Sequence, residues 1–335
     1  MDLIREYKKN IVENKNFVFV SIFLSILIRF ILFYSLSDKV EMNYSDSESS
    51  LLVTFLPNFV FDKILLFLLG TVFCLGITLY AAFLNTKYAL IRNRTYLVYV
   101  FMSLVFSCHP VFLFMNTQYI ALFLFLVCID ILYGSYQEIN TSQKTYAVGF
   151  ILALGSLFSC FLLLYLVLFW IGFVLMRSLN FKSFLTSILG ALTVYWLVFS
   201  YYLWQYTLSD FVNFFTQLQI NIGYYFRLES IHELVSLVLV VFFMFLAVLS
   251  SQLHSFEDKI RIRAKISFLE IIAVFSILFS TFVNLDPIIN IYIFGFCYVM
   301  MLSHFFTLVE QKWEVYLFYA FVFSTVLTGL FFLWD

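Results

Sequence analysis

The sequence predicts an all-α polytopic transmembrane helix bundle of about eleven helices (roughly ten to thirteen). Three observations carry that reading. Of the 335 residues, 63% are hydrophobic and only 12% are charged, and the mean hydropathy is +0.99. A soluble domain carries roughly 25% charged residues, so this much apolar surface cannot be hidden in one aqueous core. The apolar runs are continuous over roughly 15–25 residues, the length of a membrane helix. They do not alternate in ~10-residue segments as the strands of a membrane barrel do. Finally, the polar links between runs divide into a basic set and an acidic set. The net charge of −1 gives no reason to expect a nucleic-acid partner.

Residues 1–16 are polar, but Leu3, Ile4, Tyr7 and Ile11 share one helical face, which predicts a short interfacial helix on a membrane surface. The first span, 17–36, follows. It is too long for a signal h-region and lacks a small-x-small cleavage site, so it is read as a retained helix. Residues 37–58 form a polar loop with Asp38, Glu41, Asp46 and Glu48. Helix two covers 59–84, and a basic loop with Lys87, Arg92 and Arg94 comes next. The apolar run from Tyr96 to Leu132 is too long for one crossing. It folds into a hairpin, 96–108 and 118–134, with Ser107-Cys108-His109-Pro110 at its tip.

Residues 146–177 would be about 48 Å long as one helix, against a hydrocarbon core of about 30 Å. Lys144, Arg177 and Lys182 fall on one side only if the segment crosses twice, so two short helices turning near Ser159-Cys160 are expected. Helix seven spans 184–203. In 204–232, Phe211, Phe214, Phe215, Leu218 and Ile222 share one face, an amphipathic segment on the outer leaflet. Helices eight to eleven are 234–250, 268–283, 288–308 and 315–334. Lys259, Arg261, Arg263 and Lys265 lie in the loop after helix eight.

With the N-terminus in the cytoplasm, all 19 basic residues but Arg29, Lys39, Lys63 and Arg227 fall in cytoplasmic segments. The chain reads as a single domain of a bacterial inner membrane, 1–335, with an acidic outer face. The five cysteines, Cys74, Cys108, Cys128, Cys160 and Cys297, form no CxxC pair and read as small buried hydrophobes.

Candidate chemistry gathers on the outer side. Asp46 and Glu48 stand close in sequence, a pairing that can act as a general base or hold a divalent cation through oxygen ligands. The same residues are equally those of a solvated loop. Arg29 sits inside the first helix, where a charge is expensive. It either binds a phosphate or carboxylate, or pairs with an acid such as Asp62. His109 is either a proton-transfer or substrate-binding residue, or a polar helix end before Pro110. Arg227 closes the aromatic run Tyr224-Tyr225-Phe226. No P-loop, GxGxxG, HExxH or GxSxG motif is present, which disfavours ATP hydrolysis, zinc proteolysis and serine-hydrolase chemistry. No cofactor beyond a divalent cation is expected, and the identity of any metal is open.

Two resemblances add to this. The stretch 93–204 combines Asn93-Arg94-Thr95, a turn with Pro110, a polar link, a Gly-rich pair of short helices, Leu175 to Asn180, and a helix with an early Gly190. It resembles a family of polytopic inner-membrane proteins found in Bacteroidota, which brings no established activity. The hairpin followed by two short helices is more loosely similar to the C-type glycosyltransferase superfamily, integral-membrane enzymes that use polyprenyl-phosphate sugars. That resemblance implies sugar transfer in envelope glycan assembly. Asp46 or Glu48 would be base or metal ligand, and Arg29, His109 or Arg227 would neutralise the lipid phosphate. The chain departs from the superfamily in having neither its long amphipathic helix after the first loop nor a soluble C-terminal domain. The alternatives are a non-catalytic scaffold or accessory subunit of an envelope machine, or a transporter.

Overall fold

The structure, a computed structural model, describes residues 2–36, 62–205, 231–254, 256–282 and 287–331. Among these residues there are twelve α-helices and no strand. Helix α1 (Asp2–Tyr7) runs into a π-helical turn, Lys8–Val12. Eleven helices follow that coincide one for one with the eleven expected crossings. They are α2 (Lys15–Leu36), α3 (Lys63–Tyr88), α4 (Leu97–Cys108), α5 (Thr117–Gly134), α6 (Ser142–Ser156) and α7 (Tyr165–Leu175). The rest are α8 (Phe181–Trp204), α9 (Ile231–His254), α10 (Ile260–Phe282), α11 (Pro287–Thr307) and α12 (Lys312–Phe331). Short 3₁₀ turns, Pro110–Phe112 and Cys160–Leu164, precede α5 and α7.

Seven of these helices (α2, α3, α5, α8, α9, α11 and α12) are long and apolar enough to cross a membrane. The surface has the matching polarity. Phe19, Phe23, Phe30, Trp196 and Phe245 stand on the outside, while Ser103, Thr145, Asn290 and Ser303 are buried. Water would not tolerate such continuous apolar exposure. The chain thus has the helices and surface of a multi-pass membrane protein. Helix α11 is its axis. Every residue from Cys297 to Thr307, three turns that cover all sides of the helix, is buried, as a helix enclosed on every side must be.

The split of 146–177 is observed as α6 and the Cys160–Leu175 unit. Helix ends differ from the expected ones because counting apolar residues stops where polar ones begin, whereas the backbone spiral continues into water. Thus α3 extends to Tyr88 and stops at Ala89, whose φ of 48° is left-handed. Likewise α10 begins at Ile260, so its first turns carry Arg261, Arg263 and Lys265. The N-terminal segment does more than lie on lipid. Tyr7 and Val12 are buried against the bundle, Tyr7 Oη donates to Phe306 O (2.9 Å), and Tyr96 N donates to Val12 O (2.9 Å).

The predicted basic loops meet at one end of the bundle. Arg92 pairs with Glu257 (2.7 Å), Lys87 with Asp130 (2.7 Å) and Lys144 with Glu138 (2.5 Å). Gln137 N donates to Met176 O (3.0 Å), and Asn180 Nδ2 donates to Ile139 O (3.0 Å). Helices α6 and α8 run parallel, joined in register by Thr141–Ser183, Thr145–Thr186 and Ser156–Tyr195 hydroxyl bonds of 2.7–2.8 Å. They cross with almost no gap at Gly149 and Gly190. A Cβ on Gly149 would collide with Ser187 O, and one on Gly190 with Tyr146 O.

Candidate functional site

Helix α4 has only 12 residues, so it rises about 18 Å. That is short of a hydrocarbon core of about 30 Å. The turn at its end, 109–116, is therefore set partly into the bundle. Cys108, Phe112 and Leu113 are buried. Non-helical backbone at this depth survives only if the protein satisfies its polar groups.

The surrounding side chains do so. Arg29, 2% exposed, donates from Nη1 to Phe106 O (2.9 Å) and from Nη2 to Leu113 O (2.7 Å). Tyr119 Oη donates to Phe112 O. Tyr292 Oη, 2.9 Å from Val111 O and 3.2 Å from Asn116 Oδ1, covers a third carbonyl of the turn. Met115 N donates to Leu66 O of α3 (3.0 Å), a contact that Gly70 makes possible. A Cβ at Gly70 would lie 2.8 Å from both Leu113 O and Met115 N. On the other side, a Cβ at Gly329 of α12 would lie 2.8 Å from Cys108 O. The turn is held from α2, α3, α5, α11 and α12 at once.

His109 is half-buried at the start of this turn. Its Nδ1 accepts from Val111 N (3.3 Å) and so caps the 3₁₀ turn, with Pro110 in the first position. Of the residues singled out from sequence, the structure brings Arg29 and His109 to one turn. Arg29 serves its backbone carbonyls. Its Nε has no hydrogen-bond partner among the described residues, and each terminal nitrogen spends one of its two N–H donors on a backbone carbonyl. Asp46, Glu48 and Arg227, the outer loop 37–58 and most of the amphipathic segment 204–232 lie outside the described residues.

A second cluster, at the basic end, was missed. Lys265 is fully buried, with Nζ 4.1 Å from the ring centre of Tyr88 and 5.4 Å from that of Tyr133. Its Nζ has no hydrogen-bond partner among the described residues, so the two ring faces are its cation–π neighbours. Tyr133 Oη donates to Lys265 O (3.1 Å), and Tyr88 Oη sits 2.6 Å from Asp130 O. Beyond it, Gln252 Nε2 donates to Glu270 Oε2 (2.7 Å). His304 Nε2 stands 3.4 Å from Asp258 Oδ2, both side chains buried. The His304 imidazole holds the Asp258 carboxyl below its ordinary range. A signal for Lys265 existed. It lies on the helical stripe of Phe268, Leu269, Ile272 and Ser276, all buried, and reading 251–267 as loop concealed that spacing.

Two cavities accompany these clusters. One, of about 470 Å³, is an apolar groove beside Gly76, walled by Phe73, Tyr80, Phe83 and Phe123. The other, of about 380 Å³, lies between the end of α7 and the start of α10. Neither is lined by Arg29 or His109. No protein-family model, curated protein or solved structure matches the chain.

Proposed function

We propose that this is a multi-pass protein of the bacterial inner membrane, with its N-terminus in the cytoplasm, that transfers sugars from polyprenyl-phosphate carriers in envelope glycan assembly. The observation that carries it is where the acidic loop is rooted. The last turns of α2 and the first turn of α3 both grip the turn that bears His109. Phe33 stacks on Phe67 with ring centres 4.5 Å apart and meets Phe114 at 6.0 Å, and Leu66 O takes the Met115 amide. The described helix ends that flank residues 37–61 thus both pack on the turn that begins at His109. In this reading Asp46 or Glu48 removes the proton from the acceptor hydroxyl, alone or through a divalent cation. The acceptor oxygen bonds to the sugar's anomeric carbon as the bond from that carbon to the phosphate oxygen breaks, and His109 and Arg227 neutralise the departing polyprenyl phosphate. Arg29 positions the turn. The chemistry is taken from the superfamily resemblance, to which the comparisons with known proteins add nothing.

The test is the Asp46→Asn, Glu48→Gln double variant, expressed in a host lacking the native chain. The expected result is a fall in glycan transfer of roughly 10²–10⁴-fold, with the variant present in the membrane at the wild-type amount. Undiminished transfer would remove the two carboxylates from the chemistry. It would favour the second reading, a non-catalytic scaffold or accessory subunit of an envelope machine. One observation supports that reading: Arg29 has a full structural role in the carbonyl bonds it donates.

A further inference from the structure

The cavity of about 380 Å³ between α7 and α10 is lined on its polar side by Arg177, Arg263, Ser267 and Tyr136, and none of its lining residues is acidic. Neither Arg177 nor Arg263 is in an ion pair among the described residues. A third guanidinium, that of Arg261, lies 5.7 Å from the ring centre of Tyr136. On the apolar side, Val174 and Ile260 are 58% and 59% exposed on the outside of the bundle. The site therefore combines uncompensated positive charge with an apolar approach.

The backbone adds an independent argument. Helix α7 ends in a Schellman motif, with Ser178 N donating to Phe173 O and Arg177 N to Val174 O, both at 2.9 Å. Arg177 occupies the position after the helix cap with φ 54°, where glycine is the usual residue and a side chain is strained. The neighbouring backbone fixes it there. Met176 O takes the Gln137 amide (3.0 Å), and Thr141 Oγ1 donates to Ser178 O (2.8 Å). Arg177 thus lines the cavity from a position that the backbone alone would give to glycine. Strain of this kind points to a use for the side chain.

We propose that this cavity binds the phosphate headgroup of an anionic phospholipid, with Arg177 and Arg263 on the phosphate and Ser267 and Tyr136 beside it. Basic pockets between membrane helices are built for such headgroups, and planar guanidinium groups suit phosphate oxygens. The proposal does not depend on the sugar-transfer reading.

The full chain is purified in detergent with a mixture of phosphatidylglycerol and phosphatidylethanolamine, and retained lipid is counted by native mass spectrometry. The wild type retains phosphatidylglycerol preferentially. Each arginine near a bilayer surface is worth about a fivefold preference. The Arg177→Gly, Arg263→Gln double variant should therefore lose about 25-fold of that preference. Arg177→Gly alone should match or exceed the wild type in thermal stability, because the strain is relieved, while still losing part of the preference. Arg263→Gln alone gives the same readout if the double variant does not fold. Unchanged preference in these variants would overturn the proposal. So would displacement of the phospholipid by an equal concentration of glycerol 1-phosphate, which would mark a site for a soluble anion.

Discussion

A guanidinium at membrane depth is tolerated when its donors find acceptors that would otherwise be unsatisfied. Arg29 and the turn after α4 solve each other's problem in this way. Its partners are Phe106 O, in the last turn of α4, and Leu113 O, in the non-helical turn beyond it. Replacing Arg29 with Met should therefore destabilise the chain by about 2–5 kcal/mol, since two buried carbonyls lose their donors. Arg29→Lys, which can reach at most one of them well, should fall between. The five cysteines are all free and buried, so thermal exposure of thiols to a maleimide dye measures this directly. An Arg29→Met melting temperature equal to the wild type's would refute the clamp. The sequence made Arg29 conspicuous because a charge inside an apolar run needs a reason. It could not identify the partners, because carbonyls 77 and 84 residues away carry no side-chain signature. Lys265 escaped notice for the opposite reason: it stood in a basic loop by composition and on a buried stripe by geometry.

Short helices organise the architecture at the next scale. Helices α4, α6 and α7 are too short to span a bilayer alone, and α4 and α6 each end in a turn with buried residues, Phe112 and Leu113 after α4 and Leu157 and Ser159 after α6. The α6–α8 pair shows how closely such units can approach without side chains between them, since Gly149 and Gly190 admit the partner backbone. Gly149→Ala should destabilise by roughly 1–3 kcal/mol through overpacking. Gly76, where a Cβ meets nothing within 4 Å, makes the control. Gly76→Ala should be neutral or stabilising by up to about 1 kcal/mol, because alanine is the better helix former. Equal effects at the two glycines in thermal unfolding would contradict the close crossing. The split of 146–177 was legible because charge placement and helix length agreed on it. The helix ends were less so, since α3, α9 and α10 run past their apolar residues into polar ones.

Over the whole molecule, the basic links gather at one end and the turn of His109 lies toward the other. In the function proposed above, the basic end faces the cytoplasm, as the positive-inside rule would have it. The sugar-transfer reading depends on that orientation, since it places Asp46, Glu48 and His109 on one side and the phospholipid cavity of α7 and α10 on the other. The number of helices was legible from hydropathy together with charge placement; the identity of the working site was not. Its acidic members sit in a segment whose partners the sequence does not name, and no related protein supplies them. The orientation itself is open to one direct measurement. Because the native cysteines are buried, a single new thiol stands out. Ser47→Cys and the exposed Gln143→Cys are labelled in intact cells with a membrane-impermeant maleimide. Labelling at 47 but not at 143, with 143 reacting only after the cells are permeabilised, is the predicted result. Labelling at 143 in intact cells would contradict the orientation and the function built on it.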